Sequence, residues 1–148
     1  MNMTLFKAFE DAPRWHAALA IRARVFMEEQ GVPESEELDS HDTSDPTCTH
    51  VLAEIDGVPI ATGRIYESAP GEGRIGRMAV LAEHRGGGNG MAILDVLIKE
   101  GRRRRLRSLV LDAQTHAVGF YTKRGFVAQG ETFLDCGIPH QRMRLGLP

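Results

Sequence analysis

The chain has 148 residues, of which 42% are hydrophobic and 26% charged, as in a globular protein with one core of ordinary size. Its 18 basic residues nearly balance its 20 acidic ones, so charge excludes a general affinity for nucleic acid or anionic membranes. No stretch resembles a secretory signal or reaches the ~18 apolar residues of a membrane helix, and two cysteines are too few for a disulfide framework. We therefore expect a single cytoplasmic domain over residues 1–148.

The first third of the chain predicts a strand, a helix and an acidic loop. Alternation of apolar and polar residues over 3–9 indicates a short strand. Apolar residues then recur at helical spacing from Pro13 to about Gln30, where Gly31 stops the helix. The polar stretch 34–47 is rich in acids and predicts an exposed loop with one helical turn.

The rest of the chain alternates between segments typical of strands and of helices. Apolar residues at helical spacing predict two helices, over 91–98 and 115–124. Strands are predicted over 49–55, 59–66, 74–81, 108–113, 126–135 and 140–147. Strands that come first and then alternate with helices predict a mixed α/β domain.

Four glycines in six residues, "RGGGNG" from Arg85 to Gly90, join a predicted strand to a predicted helix. Glycine is costly in chain entropy, and a glycine turn that opens a helix directs free N–H groups and the helix dipole at an anion. The Walker A phosphate loop is excluded, because Met91 and Ala92 stand where that motif needs lysine and then serine or threonine.

A dinucleotide-binding loop is a second interpretation of the same glycines. Gly86 and Gly88 fit the first two glycines of that fingerprint, and Asp112 ends a strand near the expected position of its ribose-binding acid. However, Met91 occupies the third glycine position, and too little chain follows to complete a doubly wound sheet.

The spacing Arg85-x-x-Gly88-x-Gly90 resembles the pyrophosphate loop of the GNAT superfamily of acetyl-CoA-dependent N-acetyltransferases, whose pattern is Arg/Gln-x-x-Gly-x-Gly/Ala. Further along, "AQTHAVGFYTKRGF" (113–126) resembles the later helix of that family, which ends in an aromatic residue, a tyrosine and then Gly-Phe. The two motifs occur in the family's order.

Other segments narrow the resemblance to the ElaA/YjcF-like branch: 22–33, the pair Asp39 and Asp42, and 137–143. The resemblance implies an α/β fold with a mixed, mostly antiparallel central sheet of about six or seven strands, flanked by about four helices and splayed at its fourth and fifth strands. It also implies direct transfer of an acetyl group from acetyl-CoA to a primary amine of an unidentified acceptor, a small-molecule amine or a peptide amine, in a ternary complex. A homodimer is common in the family.

The resemblance assigns the cofactor to the glycine loop and the strand before it. Loop amides would wrap the pyrophosphate, Arg85 would add charge-assisted hydrogen bonds, and the strand would meet the pantetheine arm. Gln114 stands where many members carry an asparagine that contacts the cofactor. The implied cofactor-binding residues are Met78, Ala79, Val80, Arg85, Gly86, Gly87, Gly88, Asn89, Gly90, Met91, Gln114 and Tyr121.

The implied chemistry needs a neutral amine, an oxyanion donor and an acid for the leaving thiolate. A lysine-like amine of pKa ~10.4 costs roughly 4.6 kcal/mol to deprotonate at pH 7, so a base or a water chain is expected. The family supplies the oxyanion donor from a backbone N–H near Val80. Tyr121 matches the tyrosine that the family uses as this acid, and the pKa of tyrosine, ~10, is close enough to that of a thiol, ~8.5, for proton transfer to be mildly uphill. The alternative is an aromatic side chain that packs beside Phe120.

The base is not identified by the resemblance, because the strand that carries a glutamate in many relatives has no carboxylate here. Glu29, His140 and His84 are the candidates. Arg22 shares a helix face with apolar residues. Its side chain is expected either to snorkel, with the charged end in solvent, or to enter the acceptor pocket. The missing carboxylate also leaves open a catalytically silent module that binds acyl-CoA without turnover.

We expect no metal and no nucleic-acid or membrane partner. The six histidines lack metal-ligand spacing. The basic run Arg102–Arg105 lies at the far end of its helix from the glycine loop, where it complements the helix C-terminus. Cys48 and Cys136 occur in no nucleophile motif and are expected to be small buried hydrophobes.

Overall fold

The computed structural model describes residues 1–148 and is organised around one seven-stranded sheet. The strands are β1 (Asn2–Phe6), β2 (Thr49–Ile55), β3 (Val58–Ala69), β4 (Glu72–Val80), β5 (Ser108–Gln114), β6 (Val127–Asp135) and β7 (Ile138–Gly146). Their order is β1-β2-β3-β4-β5-β7-β6, and every neighbouring pair is antiparallel except β4 and β5, which are parallel. The predicted mixed, mostly antiparallel sheet is confirmed.

Two long helices and three short ones surround the sheet. They are α1 (Ala12–Arg22), α2 (Glu34–Glu37), α3 (Ser40–Thr43), α4 (Asn89–Arg103) and α5 (Val118–Thr122). The predicted first helix is present, but beyond α1 it continues as a π-helical segment over Ala23–Glu29. No helix combines the length and the apolar content needed to span a bilayer.

The acidic stretch 34–47 is not the exposed loop that its composition predicts. It contains α2 and α3, and it buries Glu37 and Asp42. Asp39 begins α3 through a capping box with Asp42. The carboxylates are buried because arginines from α1 and β3 pair with them, and a stretch of acids does not by itself indicate such distant partners.

Helices α4 and α1 cover different clusters of the core. Ile93 and Leu97 of α4 are fully buried in the larger cluster, with Ile65 of β3. Ile21 of α1 lies in a second cluster with Leu52 of β2. Burial of the helices' apolar stripes against the strands, at roughly 25 cal/mol per Å² of apolar surface, fixes the two helices on the sheet.

The sheet opens between β4 and β5. Their parallel register runs only from Glu72–Ser108 to Arg74–Val110, although both strands continue beyond it. On its other edge β4 stays paired with β3, with a bulge at which Arg77 has a φ of +48°. The predicted splay at the fourth and fifth strands is therefore confirmed, and it leaves backbone groups of both strands free on facing edges.

Candidate active site

A cavity of about 1350 Å³ opens at the splay. Its walls are the second half of β4, the end of β5, the π-helical segment, the glycine loop and the β6–β7 turn. Polar and apolar side chains both line it, as expected for a site that holds a cofactor and a second molecule.

The glycine loop forms the N-terminal end of α4. Gly86 and Gly88 both have a φ of +82°, a backbone conformation that side-chain-bearing residues rarely adopt. Gly88 caps α4, and no side chain satisfies the first N–H groups of the helix. Asn89 fixes the loop by donating from Nδ2 to the carbonyl of His84 at 2.9 Å. The helix therefore presents free N–H groups to the cavity, as an anion site requires.

Most of the predicted cofactor residues lie together in this cavity. Its lining includes Met78, Ala79, Val80, Arg85, Gly86, Gly88, Asn89, Gly90, Met91, Gln114 and Tyr121. Gly87 belongs to the same loop but is outside the lining, and so is the candidate base His84, which lies in a short 3₁₀ turn before the loop.

The backbone of Val80 faces the opening. The N–H of Leu81 donates to the carbonyl of Ile60 on β3 at 2.9 Å, and antiparallel pairing alternates along a strand. The N–H of Val80, one residue earlier, consequently points away from β3 towards the splay. This is the direction in which a donor for an oxyanion must point.

Arg85 and Glu29 form an ion pair at the rim. Arg85 donates from Nη2 to Oε1 of Glu29 at 2.7 Å and from Nε to the carbonyl of Val80 at 2.8 Å. Both side chains are partly exposed. The Glu29 carboxylate, a candidate base, is thus engaged by an arginine, and the same arginine is directed towards the end of β4.

Tyr121 of α5 extends its hydroxyl towards β4. The ring packs edge-on against Phe120 and Phe126, with centroids 5.0 and 6.1 Å away, and the hydroxyl lies 3.8 Å from Sδ of Met78. Burial raises the pKa of Tyr121 to about 12. The expectation of a mildly uphill proton transfer to a thiolate is therefore revised: Tyr121 stays protonated and is suited to donate a hydrogen bond.

His140 of β7 stands opposite Gln114 of β5 in the sheet register. Its Nδ1 lies 2.7 Å from the carbonyl oxygen of Ile138, and its ring stacks on Phe133 with centroids 5.9 Å apart. A carbonyl can only accept, so Nδ1 donates this hydrogen bond, and Nε2 has no partner within the protein. His140 lines the cavity.

Gln114 links the end of β5 to two other elements. Its Nε2 donates to Oε1 of Gln30 at 2.9 Å, and its Oε1 lies 2.9 Å from Nε2 of His116. The side chain is in the lining, as the cofactor prediction requires, but in this structure its amide is bound to protein partners.

Arg22 is neither a snorkelling side chain nor part of the cavity, which corrects both interpretations from sequence. It is 1% exposed, and it donates to Glu37 Oε1 at 2.5 Å and to both carboxylate oxygens of Asp42 at 2.9 Å. Arg64 of β3 binds Asp42 at 2.8 Å and both oxygens of Asp39 at 2.7 Å. Sequence reasoning missed this network, for which the signal was an arginine on an apolar helix face.

The structure also shows the surroundings of Asp112 and the two cysteines. Asp112 is bound by Arg74 and Arg142, so its carboxylate has protein partners where the dinucleotide hypothesis needs a ribose. Cys48 is buried as predicted, but Cys136 is exposed in the β6–β7 turn and donates to a carboxylate oxygen of Glu36 at 2.7 Å. No three histidine, cysteine, aspartate or glutamate side chains lie close enough together to hold a metal ion.

The open sheet, the uncapped helix end and the glycine loop are the features that the resemblance to acyltransferases predicts. The model of the family described as "Acetyltransferase (GNAT) domain" matches residues 18–147. The chain belongs to this family of acyltransferases.

Individual relatives agree with the assignment. The chain is 36% identical over 127 residues to the "uncharacterized N-acetyltransferase YjcF" of Bacillus subtilis, covering 85% of this chain and 88% of that protein. An acyl-CoA N-acyltransferase from Pseudomonas aeruginosa has a similar structure, with a TM-score of 0.87, 30% identity and 97% of each chain covered. Escherichia coli ElaA gives a TM-score of 0.86 at 25% identity, again over 97% of each chain. The resemblance to the ElaA/YjcF-like branch is confirmed.

Proposed function

We propose that this protein transfers an acetyl group from acetyl-CoA directly to a primary amine in a ternary complex. The observation that carries the proposal is the uncapped N-terminus of α4, with its glycine loop, at the mouth of the cavity between β4 and β5. Pyrophosphate binds the free loop amides, and the pantetheine arm pairs with the edge of Met78–Val80 that faces the splay.

The acetyl group passes directly from CoA to the amine, without a covalent enzyme intermediate. The neutral amine attacks the thioester carbonyl, a C–N bond forms, the C–S bond breaks, and CoA leaves as its thiolate. The Val80 N–H stabilises the oxyanion, because it points into the splay. Tyr121 donates a hydrogen bond to the thiolate and keeps its own proton. The base takes the proton that the amine loses and returns it to solvent, and the thiolate takes a proton from water.

We assign the general base to His140 and keep Glu29 as the second candidate. His140 lines the cavity, and its Nδ1 hydrogen bond to Ile138 leaves Nε2 without a protein partner. The Glu29 carboxylate, by contrast, is engaged by Arg85. A base within reach of the amine, directly or through one water, contributes typically 100- to 10,000-fold to the rate.

We further propose that residues 1–148 act as one catalytic domain in the cytoplasm. The two thiols support a reducing compartment, because Cys48 and Cys136 are both unpaired and Cys136 is exposed.

The first experiment is thermal unfolding with acetyl-CoA, using NAD and ATP as controls. A ligand at roughly 100 times its Kd adds ~2.7 kcal/mol of stability and raises Tm by a few degrees. We expect the increase with acetyl-CoA alone, followed by thiol release when amines are added. Stabilisation without thiol release from any amine would indicate the silent acyl-CoA-binding module. Stabilisation by NAD alone would indicate a dinucleotide site and make Asp112 the residue to test.

Substitution of the two candidate bases separates their roles. We expect His140→Gln to lower kcat by roughly 100-fold or more near neutral pH, with partial recovery at high pH as the amine loses its own proton. Glu29→Gln is expected to raise KM for acetyl-CoA instead, because Arg85 loses its partner. Steady-state thiol release across a pH series measures both effects. A large kcat loss confined to Glu29→Gln would reverse the assignment.

A further inference from the structure

Four side chains lie near one another across the sheet, and three of them line the cavity. They are Tyr66 of β3, Arg74 of β4, Asp112 of β5 and Arg142 of β7. Asp112 accepts from Nε and Nη2 of Arg142 at 2.9 and 3.2 Å and from Nη2 of Arg74. Two arginines therefore share one carboxylate, and the group carries one surplus positive charge.

Arg74 carries that surplus charge into the cavity. Arg74 and Asp112 both line the cavity, and 26% of the Arg74 side chain is exposed. Arg142, which is outside the lining, binds both oxygens of Asp112 and offsets its negative charge. The bond to Asp112 uses only Nη2 of Arg74, which leaves its Nε and Nη1 donors unpaired. Arg77, the neighbouring cation, donates instead to the carbonyls of Glu36 and Glu37.

Tyr66 supplies a second free donor beside Arg74. It is 7% exposed and lines the cavity, yet its hydroxyl makes no hydrogen bond within the protein. The ring is held by stacking on His41, with centroids 3.6 Å apart, and by the guanidinium of Arg64 5.3 Å from its centre. The hydroxyl is not among the buried atoms that lack a partner, so it reaches the solvent in the cavity and is free to donate to a ligand.

Gly76 leaves room in front of these donors. It lies two residues beyond Arg74 on β4, its backbone does not require glycine, and a Cβ built there would meet nothing within 4 Å. Glycine inside a strand weakens the strand and often marks the close approach of a ligand. Gly76 also lines the cavity, so the open space belongs to the site.

We propose that Arg74 and Tyr66 form a carboxylate subsite, and that the acceptor is a small amine that also carries a carboxylate. This inference rests on the proposed N-acetyltransfer. Arg74 and the Tyr66 hydroxyl bind the carboxylate, Arg142 positions Arg74 by holding Asp112, and Gly76 admits the chain between the carboxylate and the amine. The subsite turns the amine towards the acetyl group by fixing the opposite end of the acceptor.

Matched acceptors test the subsite during turnover. We expect kcat/KM for at least one of β-alanine, γ-aminobutyrate and ε-aminocaproate to exceed that for its own carboxamide by roughly 10- to 100-fold, the range of a hydrogen bond to a charged group. The carboxylate preference should be lost in Arg74→Gln and reduced in Tyr66→Phe. Arg144→Gln is the control, because this arginine lies on β7 two residues from Arg142, pairs with Glu72 and is outside the lining.

A binding measurement tests the carboxylate subsite independently of the proposed acetyltransfer. Isothermal titration of the CoA-loaded protein with the N-acetylated products compares each carboxylate with its carboxamide, without any turnover. Tighter binding of the carboxylates, lost in Arg74→Gln and kept in Arg144→Gln, supports the subsite. Equal binding of both forms overturns it even if neutral amines are acetylated. Failure of every amine to be acetylated counts against the proposed function, whichever product binds.

Discussion

Tyr121→Phe is expected to lower kcat by roughly 10- to 100-fold while leaving the affinity for acetyl-CoA almost unchanged. The variant keeps the ring between Phe120 and Phe126 and removes only the hydroxyl near Met78. Because burial holds the pKa of Tyr121 at about 12, the group remains a neutral donor throughout the working pH range. The predicted loss is therefore that of a hydrogen bond to the departing thiolate.

Steady-state thiol release measures the loss, and calorimetric titration with acetyl-CoA checks binding. Thr122→Val is the matched control, since it removes a neighbouring hydroxyl that is exposed and bonded to the carbonyl of Val118 in its own helix. We expect this control to retain wild-type kcat. Unchanged turnover of Tyr121→Phe across the whole pH profile would contradict the role given to Tyr121.

Asp42→Asn is expected to lower the free energy of unfolding by about 3–5 kcal/mol, the usual effect of removing one partner from a buried ion pair. The Asp42 side chain is completely buried and accepts hydrogen bonds from Arg22 and Arg64. An asparagine leaves both guanidinium groups short of an anionic partner inside the protein. For a chain of this length, Tm should fall by on the order of 10 °C, measured by calorimetry.

The matched control is Asp95→Asn, which removes the same charge from an exposed pair with Arg124. Pairs of that kind contribute about 0–1 kcal/mol, so Tm should barely change. Similar losses of Tm in the two variants would show that burial of the Asp42 pair is not what stabilises the fold.

The acid dependence of stability gives an independent check. Burial alone would raise the pKa of Asp42, but Arg22 and Arg64 outweigh it and hold the pKa well below its usual range. A lowered carboxyl pKa stabilises the folded state above the unfolded value of about 3.9, and this contribution is lost as the pH falls further. Wild-type protein should consequently lose stability below about pH 4 more steeply than Asp42→Asn.

The buried network also connects the fold to the site. Glu37 and Asp39 anchor the segment between α1 and β2 to Arg22 and Arg64, and this segment forms one wall of the cavity. The buried ion pairs therefore help to set the shape of the cavity, because Glu37, Asp39 and Arg64 also line it. The stability of the fold and the shape of the cavity depend on the same stretch of chain.

Features that depend on residues close together in the sequence could be predicted from it. The strands follow from alternation and apolar runs. The glycine loop follows from Arg85–Gly90, because backbone that must adopt positive φ and approach an anion needs glycine wherever the rest of the chain lies. The order of the motifs then indicated the family, and with it the splayed sheet and the cavity that contains Tyr121 and His140.

Side-chain partners required the tertiary structure. Arg22 looked like an amphipathic helix residue until Asp42, 20 positions away, proved to lie against it, and Asp112 looked like a free acid until Arg142 met it across the sheet. The free Nε2 of His140 and the open space at Gly76 were equally hidden. Local patterns encode backbone conformation and burial, whereas the partner of a buried charge is decided by which distant strands and helices pack together.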